Sequence, residues 1–134
     1  MRTLVSRTIL EEDMPKGQQE LSANVARFLP LAAQRSPDGV AARVPRGRRL
    51  DHSIHYHSLT FSQLNADSDA CASMLQEDGV QRSSRVLVMV RPGVDLLLVC
   101  FALFKIGAIP VIIDPGMKVR DFLECVRKAG PDAM

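Results

Sequence analysis

The stretch RVLVMVRPGVDLLLVCFALFKIGAIPVIIDPG, residues 85–116, decides the fold of this chain. It begins with a largely apolar run, turns at a proline–glycine pair, continues as a longer apolar segment up to Gly107, and closes with a second short apolar run. Short apolar runs between turn residues are typical of strands buried on both faces, and the longer segment between them favours a helix. We therefore predict a strand over 85–90, a helix over 94–106 and a strand over 108–113, which is the order of a parallel βαβ unit.

The neighbouring sequence extends this unit on both sides. A helix is predicted from Thr60 or Ser62 to Gly79, because side chains suited to a core recur at helical spacing from Leu64 to Leu75. A second helix is predicted over 119–129, where Gly130 and Pro131 end it. In such a sheet another strand follows that helix, so the chain is expected to be an incomplete α/β subdomain, truncated at Met134.

The first third of the chain predicts a helix followed by a hairpin. Residues 1–23 have mixed charge and no sustained period, so they are expected to form a mobile arm that precedes one domain over 24–134. Asn24 is a candidate helix cap, and Pro30 is expected to kink that helix or displace its start. Strands predicted over 39–44 and 56–61 form an antiparallel hairpin around a polar loop over 45–55.

Composition excludes several classes of protein. The chain has 134 residues, with 17 Lys and Arg against 15 Asp and Glu. The resulting charge of +2 gives no dominant basic face, so no nucleic-acid partner is expected. The three cysteines form neither a disulfide framework nor a metal motif and are predicted to be buried, reduced thiols: Cys71, Cys100 and Cys125. No secretory signal precedes them, so a cytoplasmic location is predicted.

The apolar segment over 96–113 is long enough to be weighed as a membrane span. Lys105 lies near its centre, where a charge costs about 2.5–3.5 kcal/mol on the insertion scale. Gly107 and Pro110 fit a helix stop followed by a strand better than they fit a continuous span. No membrane span is therefore predicted.

The two strand-to-helix turns lie where α/β folds bind ligands, beyond the carboxyl ends of the strands. They comprise residues 91–93 and 114–116, and neither has the glycine spacing of a phosphate loop. Asp114 is the one carboxylate at a strand end, and it is predicted to cap the turn or helix that follows.

Two polar clusters near the hairpin each leave two interpretations open. One is a metal site or a solvated flank of the hairpin, and its members are Asp51, His52, His55 and His57. The other is a clamp for phosphate or an acidic partner, or a solvated face, and its members are Arg46, Arg48 and Arg49. The solvated interpretation is preferred for both, so no catalytic, cofactor-binding or metal-binding residue is assigned.

Two longer segments resemble a known family. They are SLTFSQLNADSDACASML (58–75) and DGVQRSSRVLVMVRPGVDLLLVCFALFKIGAIPVIIDPG (78–116), together with Pro37-Asp38-Gly39-Val40-Ala41. They are similar to the opening motifs of the adenylate-forming (AMP-binding) superfamily, and the resemblance covers residues 24–134. Ser83-Ser84 stands where the family usually has Gly-Asp, and Ile113 where many members have Pro or Leu.

The resemblance implies an N-terminal portion of an ATP-dependent ligase, most similar to the branch of fatty-acyl-CoA synthetases and olefin-pathway β-lactone synthetases. Such enzymes use ATP and Mg²⁺ to activate a carboxylic acid as acyl-AMP, which then forms a thioester with CoA or another acceptor, or a β-lactone. The family's phosphate loop and catalytic lysine lie downstream, so no catalytic residue is carried over to this chain. It is expected to be inactive alone, with the remainder of the synthetase as its partner. The alternatives are a stand-alone, non-catalytic α/β binding or interaction module and an unrelated nucleotide-binding βαβ domain.

Overall fold

The computed structural model describes residues 24–48, 53–114 and 116–134. The arm predicted over 1–23 lies outside these residues, as do Arg49, Asp51 and His52. The described chain forms four α-helices and four strands, after a single 3₁₀ turn at Val25–Arg27. Their order is α1 (Phe28–Arg35), β1 (Val40–Arg48), β2 (Ile54–Thr60), α2 (Phe61–Glu77), β3 (Arg85–Val88), α3 (Val94–Ile106), β4 (Ile109–Ile112) and α4 (Val119–Ala129).

Helix α1 begins later than its apolar pattern suggests, as the proline predicts. Asn24 accepts a hydrogen bond from the amide of Ala26 at 3.0 Å and thereby caps the 3₁₀ turn. Pro30 is then the third residue of α1, within the first turn, where a missing N–H leaves no helical bond unmade. The Asn24 side chain also donates to the carbonyl of Phe104, which ties the start of α1 to the end of α3.

The antiparallel hairpin of β1 and β2 is confirmed, but the long loop predicted over 45–55 is wrong. Val40 pairs with Thr60 and Arg48 pairs with Ile54, so β1 extends four residues and β2 two residues into the predicted loop. Pro45 was expected to end β1. It is tolerated because, within the described ranges, this sheet has two strands, and each therefore keeps one edge that needs no amide donor. The register shifts between Pro45 and Gly47, where φ is +130°.

Helix α2 has clear signals at both ends. The Thr60 hydroxyl accepts from the Gln63 amide at 3.2 Å, and the Gln63 side chain accepts from the Thr60 amide at 3.0 Å, which is a complete capping box. Gly79 follows the helix with a φ of +91°, a left-handed conformation that glycine adopts without strain. The predicted helix and its glycine stop are both confirmed.

The second sheet is parallel and contains the predicted βαβ unit. β3 pairs with β4 in register from Arg85 with Ile109 to Val88 with Ile112, so each strand is shorter than its apolar run. On the other side of β3, Ala133 forms a parallel bridge with Val86, and its carbonyl accepts from the Leu87 amide at 2.8 Å. β3 therefore lies between β4 and this isolated bridge, which occupies the position where a strand was expected to follow α4.

Helix α3 is apolar all round because it packs on both of its sides. Its fully buried Leu103 belongs to a cluster with Val86 and Val88 of the parallel sheet. Leu97 and Phe101 pack instead against a second cluster that joins α1, α2 and the hairpin. The α/β architecture is thus layered around this one helix.

Helices α3 and α4, which follow the two strands of the parallel sheet, lie on opposite faces of it. Val86 and Val88 face α3, and since side chains alternate along a strand, the buried Leu87 faces the other way. The connection through α3 runs from β3 to β4, whereas the one through α4 runs from β4 back past β3. Because both connections are right-handed, α4 lies on that other face. The expectation of strands buried on both faces holds for β3. It is wrong for β4, an edge strand in which Ile109 and Ile112 are about half exposed.

Lys105, inside the apolar segment, is explained by a polar contact between α3 and α2. Its ammonium group donates to the backbone carbonyl and the side-chain oxygen of Asn65, each at 3.0 Å, and to Asp69 at 2.7 Å. The Lys105 side chain is 12% exposed, whereas that of Asp69 is 60% exposed. The ammonium is therefore held mainly by the protein, and the carboxylate is held mainly by water.

Replacing Lys105 with Met is expected to lower the free energy of unfolding by about 1–3 kcal/mol, because the shielded hydrogen bonds to Asn65 are lost while the aliphatic stem is kept. Asp69→Asn is expected to cost at most about 1 kcal/mol, since an exposed partner contributes little. Urea unfolding followed by far-UV circular dichroism measures both values. Equal losses for the two variants would contradict this assignment of the ammonium's main partners.

Candidate functional site

The most site-like region lies at the carboxyl ends of β3 and β4. The chain leaves β3 toward α3 on one face of the sheet and leaves β4 toward α4 on the other face. Where neighbouring connections diverge in this way, an open α/β sheet has a crevice in which ligands commonly bind. The topology therefore directs attention to this edge before any side chain is considered.

An apolar groove of about 620 Å³ lies beside this edge. Residues 43–45 of β1 form part of its lining, and Leu96, Leu97 and Cys100 contribute the N-terminal half of α3. Ile112 of β4 completes it, with Pro92 and Gly93 before α3. The hairpin, α3 and the edge strand thus contribute jointly, although they are distant in sequence. Among the described residues of this lining, Arg43 alone is charged, and it forms no ion pair with any of the described residues.

Asp114 has the role that was predicted for it. Its side chain accepts a hydrogen bond from the Gly116 amide at 2.8 Å, and its carbonyl accepts from the Met117 amide at 3.1 Å. The carboxylate thereby stabilises the turn that leads to α4.

The turn before α3 is also ordinary in its geometry. Gly93 has an extended conformation, with a φ of 169°, and its carbonyl accepts the first helical hydrogen bond, from Leu97 at 3.3 Å. A phosphate cradle requires several amides converging on one point, and neither described turn supplies such a set. The described residues therefore provide no fitting site for the phosphates of ATP.

Two of the four candidate metal-binding residues near the hairpin, His55 and His57, lie within the described part of the chain. His55 pairs with Gly47 and is exposed, and His57 pairs with Val44 and is half-buried. No three His, Cys, Asp or Glu side chains are grouped for metal binding in the described ranges. The backbones of Arg46 and Arg48 belong to β1. Their side chains, and the whole of Arg49, lie outside the described part of the chain.

The groove itself was missed from the sequence. The uniform apolarity of α3 signals that the helix is covered on several sides, but it does not say which elements cover it. Of the three β1 residues in the lining, Arg43 and Val44 lie within the predicted strand, and Pro45 lies just past its predicted end. No local signal in the sequence places this strand beside α3.

The three cysteines are free thiols, as predicted, and each is half-buried where the prediction had it buried. Cys71 is on α2, Cys125 is on α4, and Cys100 faces the groove. Burial raises the pKa of the Cys71 and Cys100 thiols above the ordinary cysteine value. Both remain protonated at neutral pH.

The raised pKa values predict a pH dependence of reactivity and of stability. Alkylation of Cys71 and Cys100 by iodoacetamide is expected to reach half its maximal rate at a higher pH than in the chain unfolded by guanidinium. Because these thiols ionise first in the unfolded chain, their contribution to the free energy of unfolding is constant at neutral pH and falls as pH rises above about 8.5. Mass spectrometry of each cysteine peptide across this range measures the rates. Half-maximal rates at the same pH in the folded and unfolded chains would contradict the prediction.

The described helices include none that is both long and apolar enough to cross a membrane. This agrees with the assignment of residues 96–113 to a helix and a strand of the folded domain.

Comparisons with known proteins agree with this architecture. A family model described as AMP-binding enzyme matches residues 30–134. The chain is 41% identical over 118 residues to an olefin beta-lactone synthetase of Xanthomonas campestris pv. campestris, covering 87% of this chain and 21% of that protein. An olefin beta-lactone synthetase of Stenotrophomonas maltophilia is 41% identical over 112 residues, covering 82% of this chain and 20% of that protein.

A solved structure gives the same result for the fold. The N-terminal subdomain of NpsA from Klebsiella oxytoca superposes with a TM-score of 0.66 at 25% identity, covering 81% of this chain and 26% of that one. The chain spans about one fifth of the length of the relatives it matches. The α/β fold and the resemblance found in its motifs are thus confirmed, and the chain belongs to the AMP-binding enzyme family.

Proposed function

We propose that this chain forms the first part of a ligase that uses ATP and Mg²⁺ to activate a carboxylic acid as acyl-AMP. The observation that carries the proposal is the 41% identity over 118 residues to an olefin beta-lactone synthetase, combined with the family match over 30–134. The acid is a fatty acid or a hydroxy acid, and the activated acyl group goes on to a thioester or a β-lactone. A fatty acid–acyl-carrier-protein ligase of Mycobacterium marinum, 35% identical over 98 residues, supports an aliphatic substrate and a role in fatty acid metabolism.

Within this ligase, the chain acts as scaffold. Its described residues offer neither a phosphate cradle nor a metal-binding group of side chains, so no step of adenylation is assigned to them. The apolar groove is the surface that the remainder of the ligase covers, since its described lining is mostly apolar and includes the exposed Ile112 of β4. A cytoplasmic location remains a prediction, supported by three free cysteines that are typical of a reducing compartment.

Acid-dependent exchange of pyrophosphate into ATP tests the proposal in two proteins. The isolated chain is expected to show no exchange above a no-protein control. A chimera in which residues 24–134 replace the matching segment of the Xanthomonas campestris relative is expected to restore exchange, whereas the same relative lacking that segment stays inactive. Exchange by the isolated chain, or a chimera that melts cooperatively but does not catalyse exchange, would overturn the proposal.

The alternative is a stand-alone, non-catalytic module that binds a partner, and the apolar groove is the observation that favours it. Under this alternative, the isolated chain is a stable monomer, and its groove residues affect binding alone. The chimera separates the two functions, because a module of that kind has no reason to support catalysis in a relative's framework.

A further inference from the structure

Strand β3 is paired along only part of the edge that faces away from β4. The Ala133 amide donates to the Arg85 carbonyl at 3.3 Å, and the Ala133 carbonyl accepts from the Leu87 amide at 2.8 Å. The Asp132 side chain also accepts from the Arg85 amide, at 2.7 Å. Ala133 is thus bonded to β3 in the same way as a residue of a parallel strand.

Further along β3, the same edge has backbone groups without partners. Alternate residues of a strand turn their amide and carbonyl to the same side, so those of Leu87 and Met89 point the same way as those of Arg85. The Leu87 carbonyl and the Met89 amide form no hydrogen bond with any residue in the described ranges. Leu87 is 5% exposed, and an unpaired backbone group on a buried strand is costly.

The outer edge of β4 differs, because a proline removes one of its donors. The Ile109 amide donates to the Ser84 carbonyl at 2.8 Å, so the odd-numbered residues of β4 turn their backbone groups toward β3. Pro110 and Ile112 therefore turn theirs outward. Because proline has no N–H, Ile112 alone among the residues of β4 presents an amide at this edge. A proline at an outward position of an edge strand opposes further pairing.

We propose that the remainder of the ligase adds a parallel strand to this sheet beside β3, in continuation of Ala133, and adds none beside β4. The inference rests on the proposed function, since it takes the rest of the ligase as the partner. In the ligase, the residue that follows Met134 accepts from the Met89 amide and donates to the Leu87 carbonyl. β4 remains an edge strand, and its exposed isoleucines are covered through side-chain contacts alone.

The surroundings of Ala133 define the side chains that the new strand carries. Ala133 is half-buried and packs against the cluster of Val86 and Val88, on the face of the sheet that α3 covers. Since side chains alternate along a strand, the next residue on that face is the one after Met134. It lies beside Val88, which is 3% exposed, so an apolar side chain is expected there. The partner is therefore an extended segment with apolar residues at alternate positions.

A continuation of the same chain fits this edge better than a strand of another molecule does. Ala133 already bonds to β3, so the residues that follow it in the ligase start within two residues of the unpaired groups. Such tethering gives a high effective concentration, which a separate strand lacks. The edge thus belongs to the next segment of the ligase and not to a second copy of this chain.

Hydrogen–deuterium exchange, resolved to single amides by mass spectrometry with electron-transfer fragmentation, tests the inference. The isolated chain is compared with the chimera of the Xanthomonas campestris relative. The Met89 amide is expected to exchange at least about tenfold more slowly in the chimera, because it gains a hydrogen bond. The Leu87 amide, already bonded, is expected to be slow in both proteins. The Ile112 amide is expected to slow by a smaller factor than that of Met89.

An extended chain repeats the test without the rest of the ligase. It carries, after Met134, about ten residues that follow the matching segment in the relative, enough for one strand. Slower exchange of the Met89 amide is again expected. The matched control has proline as the first and third added residues, whose amides face β3, and is expected to exchange as the isolated chain does. In Pro110→Val, the new amide faces outward and is expected to exchange fast.

Two results overturn the inference. One is unchanged exchange of the Met89 amide in both the chimera and the extended chain, or equal slowing in the proline control. The other is slowing of the Ile112 amide in the chimera as large as that of the Met89 amide, which would indicate a strand beside β4. A chimera that protects the Met89 amide but does not catalyse pyrophosphate exchange would contradict the proposed activity and support the added strand, so the two failures are distinguishable.

Discussion

Replacing Leu103 with Ala is expected to lower the free energy of unfolding of this chain by about 3–5 kcal/mol, the upper part of the range for such substitutions. Leu103 is fully buried in α3 and belongs to the cluster of Val86 and Val88 in β3. Neighbours held in a strand and a helix cannot collapse far into the space that the lost side chain leaves. Since domains are commonly stable by about 5–15 kcal/mol, this single change removes a large part of the total.

Guanidinium unfolding followed by far-UV circular dichroism measures this loss, since the chain has no tryptophan to serve as a fluorescent probe. The matched control is Leu123→Ala on α4, where the side chain is 60% exposed and the expected change is within about 0.5 kcal/mol. Measurement at low protein concentration keeps association from contributing to the apparent stability. Similar losses at the two positions would show that α3 is not the packed centre of the fold.

The helices and the parallel unit could be predicted because their signals are local. Gly107 adopts a φ of +80° directly after α3, and Gly130 a φ of +55° directly after α4, so each glycine ends its helix where the sequence predicts. The capping residues of α2 are likewise neighbours in sequence. Such features depend on a few adjacent residues and on backbone geometry alone.

The features that were missed depend on contacts between distant segments. Considered with its neighbours alone, Pro45 predicts the end of a strand, whereas the outer edge of the two-stranded sheet in the described part of the chain lets β1 continue through it. The exposure of Ile109 and Ile112 follows from the position of β4 at the edge of its sheet, which apolarity alone does not reveal. The groove was missed for the same reason, because it is lined jointly by the hairpin, α3 and this edge strand, which are distant in sequence.

The isolated chain is expected to self-associate in a concentration-dependent manner, and Ile112→Lys is expected to reduce that association strongly. Ile112 is 57% exposed and lines the apolar groove, so in water it favours contact with a second apolar surface. A lysine at this position places a charge in the groove, where contact with a second apolar surface would bury it at a cost in free energy. Analytical ultracentrifugation over a concentration series measures the effect. The matched control is Ile109→Lys, at a residue of the same strand that is 49% exposed and does not line the groove.

The same Ile112→Lys substitution is expected to have the opposite consequence in the chimera with the Xanthomonas campestris relative. If the remainder of the ligase covers the groove, the lysine is buried there without a partner, which costs several kcal/mol and lowers pyrophosphate exchange. Ile109→Lys is expected to leave exchange much closer to that of the unchanged chimera. A groove that stays open to water in the ligase would make the two variants equally active.

A monodisperse isolated chain, with a cooperative transition that is independent of concentration and a stability of about 5 kcal/mol or more, would instead favour the stand-alone module. If Ile112→Lys weakens self-association of the isolated chain and also lowers pyrophosphate exchange by the chimera, the two results together identify the groove as an internal interface of the ligase.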